Sequence, residues 1–554
     1  MTNAQAPHDA RATLSRRDLL LGAASATGLL ALGSSGAAAT VAALDVSPRR
    51  RTAARRSADG AGTIDGLIRS GPLEVRAGRT LRFDPTRDTT LEVTGNLIVR
   101  GRLEMKPQPG VEHVLRFVDV DESAFVGGGL DPLDTDVGLW VMREGMLDLR
   151  GTGKRAWNRS GASDSWGTRD ELVVAPVAPD DFEPAPFVAG DPVPSWEGRR
   201  AEVLNLTRNV RIEGTPGGRA HVFIRSTRRQ SIRYATLRHL GPRQLDEEYT
   251  ASVLGRYGLH FHHCHEGSEG SLVEGVVVRD CGAHAFVPHM SHGITFRDCI
   301  AYDVYDEAYW WDPNEHTKDL LIDRCVAGSV HFDPDSDGYR LSAFLLGLGD
   351  RLTLRRCVAF AVHGNLTSSG YSWPEIPSGL WTFRDNVAHN NVAAGIFVWQ
   401  NVVAPHLIQR FTAYNNGEAG IIHGAYSNAY HYRDLDLTGQ ETAIQHFATG
   451  RPDRKGQPQS WVDVRGGRLL VEGRGGVSES PVLFLRCSFA GGVTVNEWAG
   501  HPGAFDFVEC GLEPDGFRLE SMKAGTVIRV QRDDGSAFEL TTAGVRIIDP
   551  FYPY

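Results

Sequence analysis

The sequence predicts an all-β solenoid, and three observations carry that expectation. The first is a repeat. Bulky apolar side chains stand five and three residues before each of the seven cysteines: Leu259/Phe261 before Cys264, Val276/Val278 before Cys281, Ile294/Phe296 before Cys299, Leu320/Ile322 before Cys325, Leu352/Leu354 before Cys357, Val482/Phe484 before Cys487 and Phe505/Phe507 before Cys510. Alternation at period two means a strand with one buried face, and its return after roughly 17 to 32 residues means stacked coils. The second observation is punctuation, with 62 Gly and 28 Pro breaking the apolar runs into short pieces. The third is length, since 554 residues exceed what one compact core organises.

In stacked coils equivalent residues recur about 4.8 Å apart, so the cysteines are expected to form one internal ladder of free thiols. Disulfides need a Cβ geometry that parallel stacking rarely offers. The same register turns Arg279, Arg297, Asp323, Arg355 and Arg384 outward, as a column that either pairs with neighbouring aspartates or grips carboxylates. A formal net charge of −10 argues against nucleic-acid binding through overall charge.

Taken in order, residues 1–39 resemble a twin-arginine-type signal peptide: Arg16-Arg17, an apolar run, then Ala37-Ala38-Ala39. The run is too short and too rich in Ala and Gly to span a bilayer, so the mature protein is expected to have no membrane span and to lie outside the cytoplasm. Residues 40–62 read as a flexible basic linker. Residues 63–161 carry short glycine-bounded strands such as Leu73-Glu74-Val75, Leu97-Ile98-Val99 and Met146-Leu147-Asp148-Leu149. Residues 162–200, with Pro184, Pro186, Pro192 and Pro194, read as an irregular connection, and residues 201–554 as the solenoid with its terminal coils.

Several segments resemble a known family. Val93-Thr94-Gly95-Asn96-Leu97 and Gly145-Met146-Leu147-Asp148-Leu149-Arg150-Gly151 are similar to the G8 domain. Thr207-Arg208-Asn209 and Tyr257-Gly258-Leu259-His260-Phe261-His262 are similar to the cell-migration-inducing hyaluronan-binding proteins, the transmembrane hyaluronidases and the fibrocystin-like proteins. The resemblance covers about residues 68–375. It implies a G8 β module followed by a right-handed parallel β-helix, and a hyaluronidase-like action on an extracellular polysaccharide. Glu307 stands where the relatives carry a histidine, which implies a different chemistry or substrate.

Chemistry is expected between Gly255 and Asp312, where seven of the twenty histidines fall between positions 260 and 292. His260 and His262, two apart on a strand, face outward together while Leu259 and Phe261 pack inward. The candidate catalytic residues are His260, His262, His284, His289, Glu307 and Asp312. The candidate substrate-binding residues are Arg256, Arg279, Arg297, Trp310, Trp311 and Arg355. His289, Asp312, His423 and His446 are expected in one column, with His331 and His363 near it. A possible divalent metal would be held by His260, His262 and Asp312. A hydrolase needs two carboxyl groups flanking the sugar bond, supplied from Asp303, Asp306, Glu307 and Asp312. A lyase needs a base for the uronate proton and a cation on its carboxylate. The expected function is therefore a secreted glycan-degrading hydrolase or lyase acting on an acidic, glycosaminoglycan-like polymer, with a non-catalytic carbohydrate-binding or adhesion protein as the alternative.

Overall fold

The computed structural model describes residues 61–159, 166–246, 249–311, 315–332, 341–364, 368–373, 381–398, 406–423, 430–440, 442–448, 460–465, 469–473, 482–486, 493–496, 504–522 and 524–552. The expected signal segment and nearly all of the linker lie outside them, as does Cys487. Among the described residues no helix is long and apolar enough to cross a membrane.

The chain is a parallel β-helix whose coils carry three faces. Thr295–Arg297 stacks on Leu272–Glu274 and under Leu321–Asp323 in the first face; Ile300–Tyr305 lies between Val277–Cys281 and Val326–His331 in the second. The third face runs Leu139–Arg143, Val222–Ser226, Leu259–His265 and Phe286–Ser291. It continues through Tyr309, which bridges Phe286 and Phe344, into Ser342–Leu345 and Ser369–Trp373. Inside that face Phe286, Tyr309, Phe344 and Tyr371 form one stack, with ring centroids 4.8, 4.5 and 5.1 Å apart. Offset aromatic stacking adds to the burial of area in such a column.

Local sequence explains the bend between the first two faces. Tyr234, Asp298, Arg324, Arg356, Asp385 and Arg410 occupy equivalent corners with φ between +48° and +59°. One left-handed residue turns the chain sharply without adding a loop, and Asp tolerates that conformation best among these.

The solenoid begins earlier than the resemblance implies. Met146–Arg150 pairs in parallel with both Arg102–Met105 and Ser231–Arg233, so the glycine-marked strands are coils of the same sheet. Nor is the following stretch an irregular connection. Trp157–Asn158, Val203–Asn205, Leu172–Val174 and Ala185–Phe187 form a four-stranded antiparallel sheet. Trp157, Val173, Leu204 and Leu206 from it cover Val277, Ile300, Val326, Val358 and Phe360 on the outside of the second face. Its strands have only two or three residues, too short for periodicity to register, and the prolines sit at its margins. At the other end Val527–Gln531, Ala537–Thr541 and Gly544–Ile548 turn antiparallel and close the ladder.

The cysteines do not make one column. Cys299, Cys325 and Cys357 stack at the corner between the first and second faces, continued by Asn386, whose Oδ1 accepts from the Cys357 amide at 2.9 Å. Cys264 lies in the last part of a third-face strand and Cys281 ends a second-face strand instead. Every coil has several corners, and a strand ending at any of them carries the same alternation. The six described cysteines are buried and free. Thiol titration of the denatured, unreduced protein is expected to return all seven; two or more disulfides would overturn the reading that they are buried free thiols.

From Arg297 onward the outward column holds its register, with Arg297 opposite Asp323, Asp323 opposite Arg355, and Arg355 opposite Arg384; Arg279 is not part of it, since it lies on the second face opposite Tyr302. Asp323 pairs with Arg355 at 3.0 Å and Arg356 at 2.6 Å, and Arg410 pairs with Asp385 at 2.5 Å. It is largely an ion-paired ladder, and it lies on the first face.

Candidate functional site

The outer surface of the third face gathers the histidines. Phe223 opposes His260, and His262 opposes His289 on the next coil. Leu259 and Phe261 are in the core, as the alternation requires. The histidines are nevertheless less exposed than a groove surface implies: His260 is 1% exposed. Its Nδ1 lies 3.0 Å from the Gly255 carbonyl, and its Nε2 lies 3.0 Å from Nδ1 of His262. The ligand atoms of His260, His262 and His289 all fall within 4.8 Å of one another. Burial pushes the His262 imidazole down to about 3, helped by the His289 and His263 charges, so the ring is neutral at physiological pH.

A register shift between His262 and His265 adds a residue that alternation does not foresee. His263, at φ 49°, sits in that bulge, and its ring stacks on His262 at 4.3 Å and meets His289 edge-on at 5.0 Å. Arg225 also acts electrostatically on His262 and His263. Neither His263 nor Arg225 was singled out by the sequence, because one is out of phase and the other is one arginine among many.

A second group adjoins the first. The His284 ring lies parallel to Trp310 at 4.3 Å, and its Nδ1 is 3.0 Å from the Glu307 carbonyl and 3.5 Å from the Glu307 carboxyl. Burial, reinforced by the Asp306 charge, raises the Glu307 carboxyl to about 8, and burial lowers His284. Both are neutral near pH 7, so their contact is not an ion pair. Tyr257 joins the two groups, with its ring 4.9 Å from both His260 and His284.

The remaining expected site residues are elsewhere. Arg256 does not line a substrate groove: it is fully buried, its Nε donates to Asp136 at 2.7 Å, and its guanidinium lies over Trp140 at 4.6 Å. Arg279 is covered by the antiparallel sheet, through Glu171 at 2.6 Å. Arg297 and Arg355 belong to the first face. Trp311 is wholly buried, with Nε1 donating to the Leu348 carbonyl at 3.3 Å, because the alternation that turns Trp310 out turns Trp311 in. Asp312 lies outside the described residues, and the metal reading for it with them.

The expected histidine column also divides. His289 lies three residues past Phe286, whereas His423 and His446 pair with each other two residues past Ile421 and Ile444. His331 and His363 stack at 4.9 Å on the second face. Asp303 is there too, 3.3 Å from His331 and beside an open cleft of about 300 Å³. No family model matches this chain, and no curated protein matches it.

Proposed function

We propose that this protein is an exported enzyme that cleaves an acidic polysaccharide on the outer surface of its third face. One observation carries the reading: the Glu307 carboxyl, raised by burial to about 8, contacts His284, whose ring lies against the partly buried Trp310 ring. A protonated carboxyl is the group that glycosidic cleavage needs, because the leaving oxygen must take a proton as its bond to carbon breaks. An aromatic face presents the flat apolar side that sugar rings stack against. The similarity of the Tyr257–His262 segment to hyaluronan-acting proteins and the twin-arginine-type leader support an extracellular glycan as substrate.

The pure protein, incubated with a panel of acidic and neutral glycans, is expected to shorten an acidic one. New reducing ends with no ultraviolet-absorbing product would mean that water adds at the anomeric carbon. Unsaturated uronic ends absorbing in the ultraviolet would mean that a C5 proton is removed and the C4–oxygen bond breaks. Binding with no cleavage would replace the enzyme by an adhesion protein, and neither binding nor cleavage would overturn the reading.

A further inference from the structure

We propose that His260, His262 and His289 form a site for one divalent transition-metal ion of the zinc class, with a coordination position left for an anion. His260 and His262 project from one strand, and His289 stands opposite His262 on the next, so two rungs of a rigid sheet set all three positions. Their ligand atoms fall within 4.8 Å of one another. Imidazole nitrogens about 2.0–2.1 Å from a tetrahedral ion are themselves roughly 3.4 Å apart, and one pair here, His260 Nε2 and His262 Nδ1, is at 3.0 Å. Small ring rotations convert one arrangement into the other.

The outer partner of His260 is already in place. Its Nδ1 lies 3.0 Å from the Gly255 carbonyl, which can only accept, so Nδ1 carries the proton and Nε2 presents its lone pair to the cluster. Metal-ligating histidines are oriented in this way by a backbone carbonyl or carboxylate on the far nitrogen. Without an ion, that lone pair and the His262 ring compete for a single proton between them.

The donor set selects the metal. Three neutral nitrogens suit zinc, cobalt, nickel or copper, whereas calcium and magnesium take oxygen ligands. Two arginines act on the cluster. Arg256 is neutralised by Asp136 at 2.7 Å. Arg225 adds positive charge, which favours an anion as the fourth ligand. A uronate carboxylate has that chemistry, and this assignment of the fourth ligand rests on the proposed function, whereas the metal site stands on the geometry alone.

The test uses the full exported chain, stripped with a chelator and dialysed against Zn(II) or Co(II). One equivalent per chain is expected, with visible cobalt absorption of a four- or five-coordinate nitrogen-rich site and a raised melting temperature. His262→Ala and His289→Ala are each expected to weaken binding at least tenfold; His262→Gln, which keeps more of the packing, guards against a variant that merely unfolds. Glu307→Gln should keep its metal. Binding well below one equivalent, or binding unchanged in both histidine variants, would overturn the site. A protein that binds the ion yet cleaves no glycan would refute the proposed function and leave the metal site standing.

Discussion

Replacing Arg256 by alanine is expected to destabilise the protein by about 3–5 kcal/mol, the cost of removing one partner from a buried ion pair. Neither side chain of the Arg256–Asp136 pair reaches solvent. Asp136 would keep the amides of Val126 and Gly127, at 2.8 and 3.0 Å, but lose its only buried countercharge among the described residues. The Gly128 carbonyl would lose its donor, and Trp140 would lose the guanidinium over its ring. Urea unfolding measures the loss. The Arg256→Ala/Asp136→Asn double variant is expected to cost clearly less than the sum of the single changes, since the two act as one unit. Additive effects would mean that the arginine works through packing alone.

Glu307→Gln is expected to lower turnover by 10²–10⁴-fold, the usual contribution of a general acid. The wild-type rate should hold below pH 8 and fall as pH rises through about 8, where the carboxyl ionises. Stability has the same origin. The folded carboxyl keeps its proton up to about 8, whereas the unfolded chain releases it near its ordinary value of 4.5. Between those values the folded state binds more protons, so stability falls as pH rises. Across that window the wild type should lose on the order of 3–5 kcal/mol relative to Glu307→Gln. Parallel melting curves at pH 5 and pH 9 would show that Glu307 is ordinary.

Period-two alternation made much of the site legible. It placed Leu259 and Phe261 in the core and turned His260 and His262 to the other side of the strand, where His260 is nevertheless covered from solvent. Alternation says which side of a strand a residue takes but not which of the three faces the strand belongs to. Cys264, Cys281 and Cys299 share one local pattern and sit on different edges for that reason. The same blindness put Arg279 in one column with Arg297 and Arg355 and offered all three as substrate contacts. Trp311 was legible and misread, since period two cannot turn two successive tryptophans outward. His263 was not legible, because a bulge breaks the phase. Arg256 was hidden for another reason: its partner Asp136 is 120 residues earlier, in a loop whose fold no local pattern specifies.

A stack of coils has a weakness that the antiparallel sheet over the second face addresses. In a pure solenoid each coil touches only its neighbours, so stability is a sum of local terms and fraying can start at either end. The sheet reaches across many rungs at once. Beside its strands Glu171 holds Arg279 and Glu202 holds His389 at 3.1 Å, and Arg199, from the adjoining Ser195–Trp196/Arg199–Arg200 hairpin, holds Asp436 at 2.8 Å. Protection from amide exchange along the second face should accordingly be lost in one step between those rungs instead of creeping inward coil by coil. The segment behaves as a splint bound along a column of stacked discs, and it makes the middle of the molecule yield as a single piece.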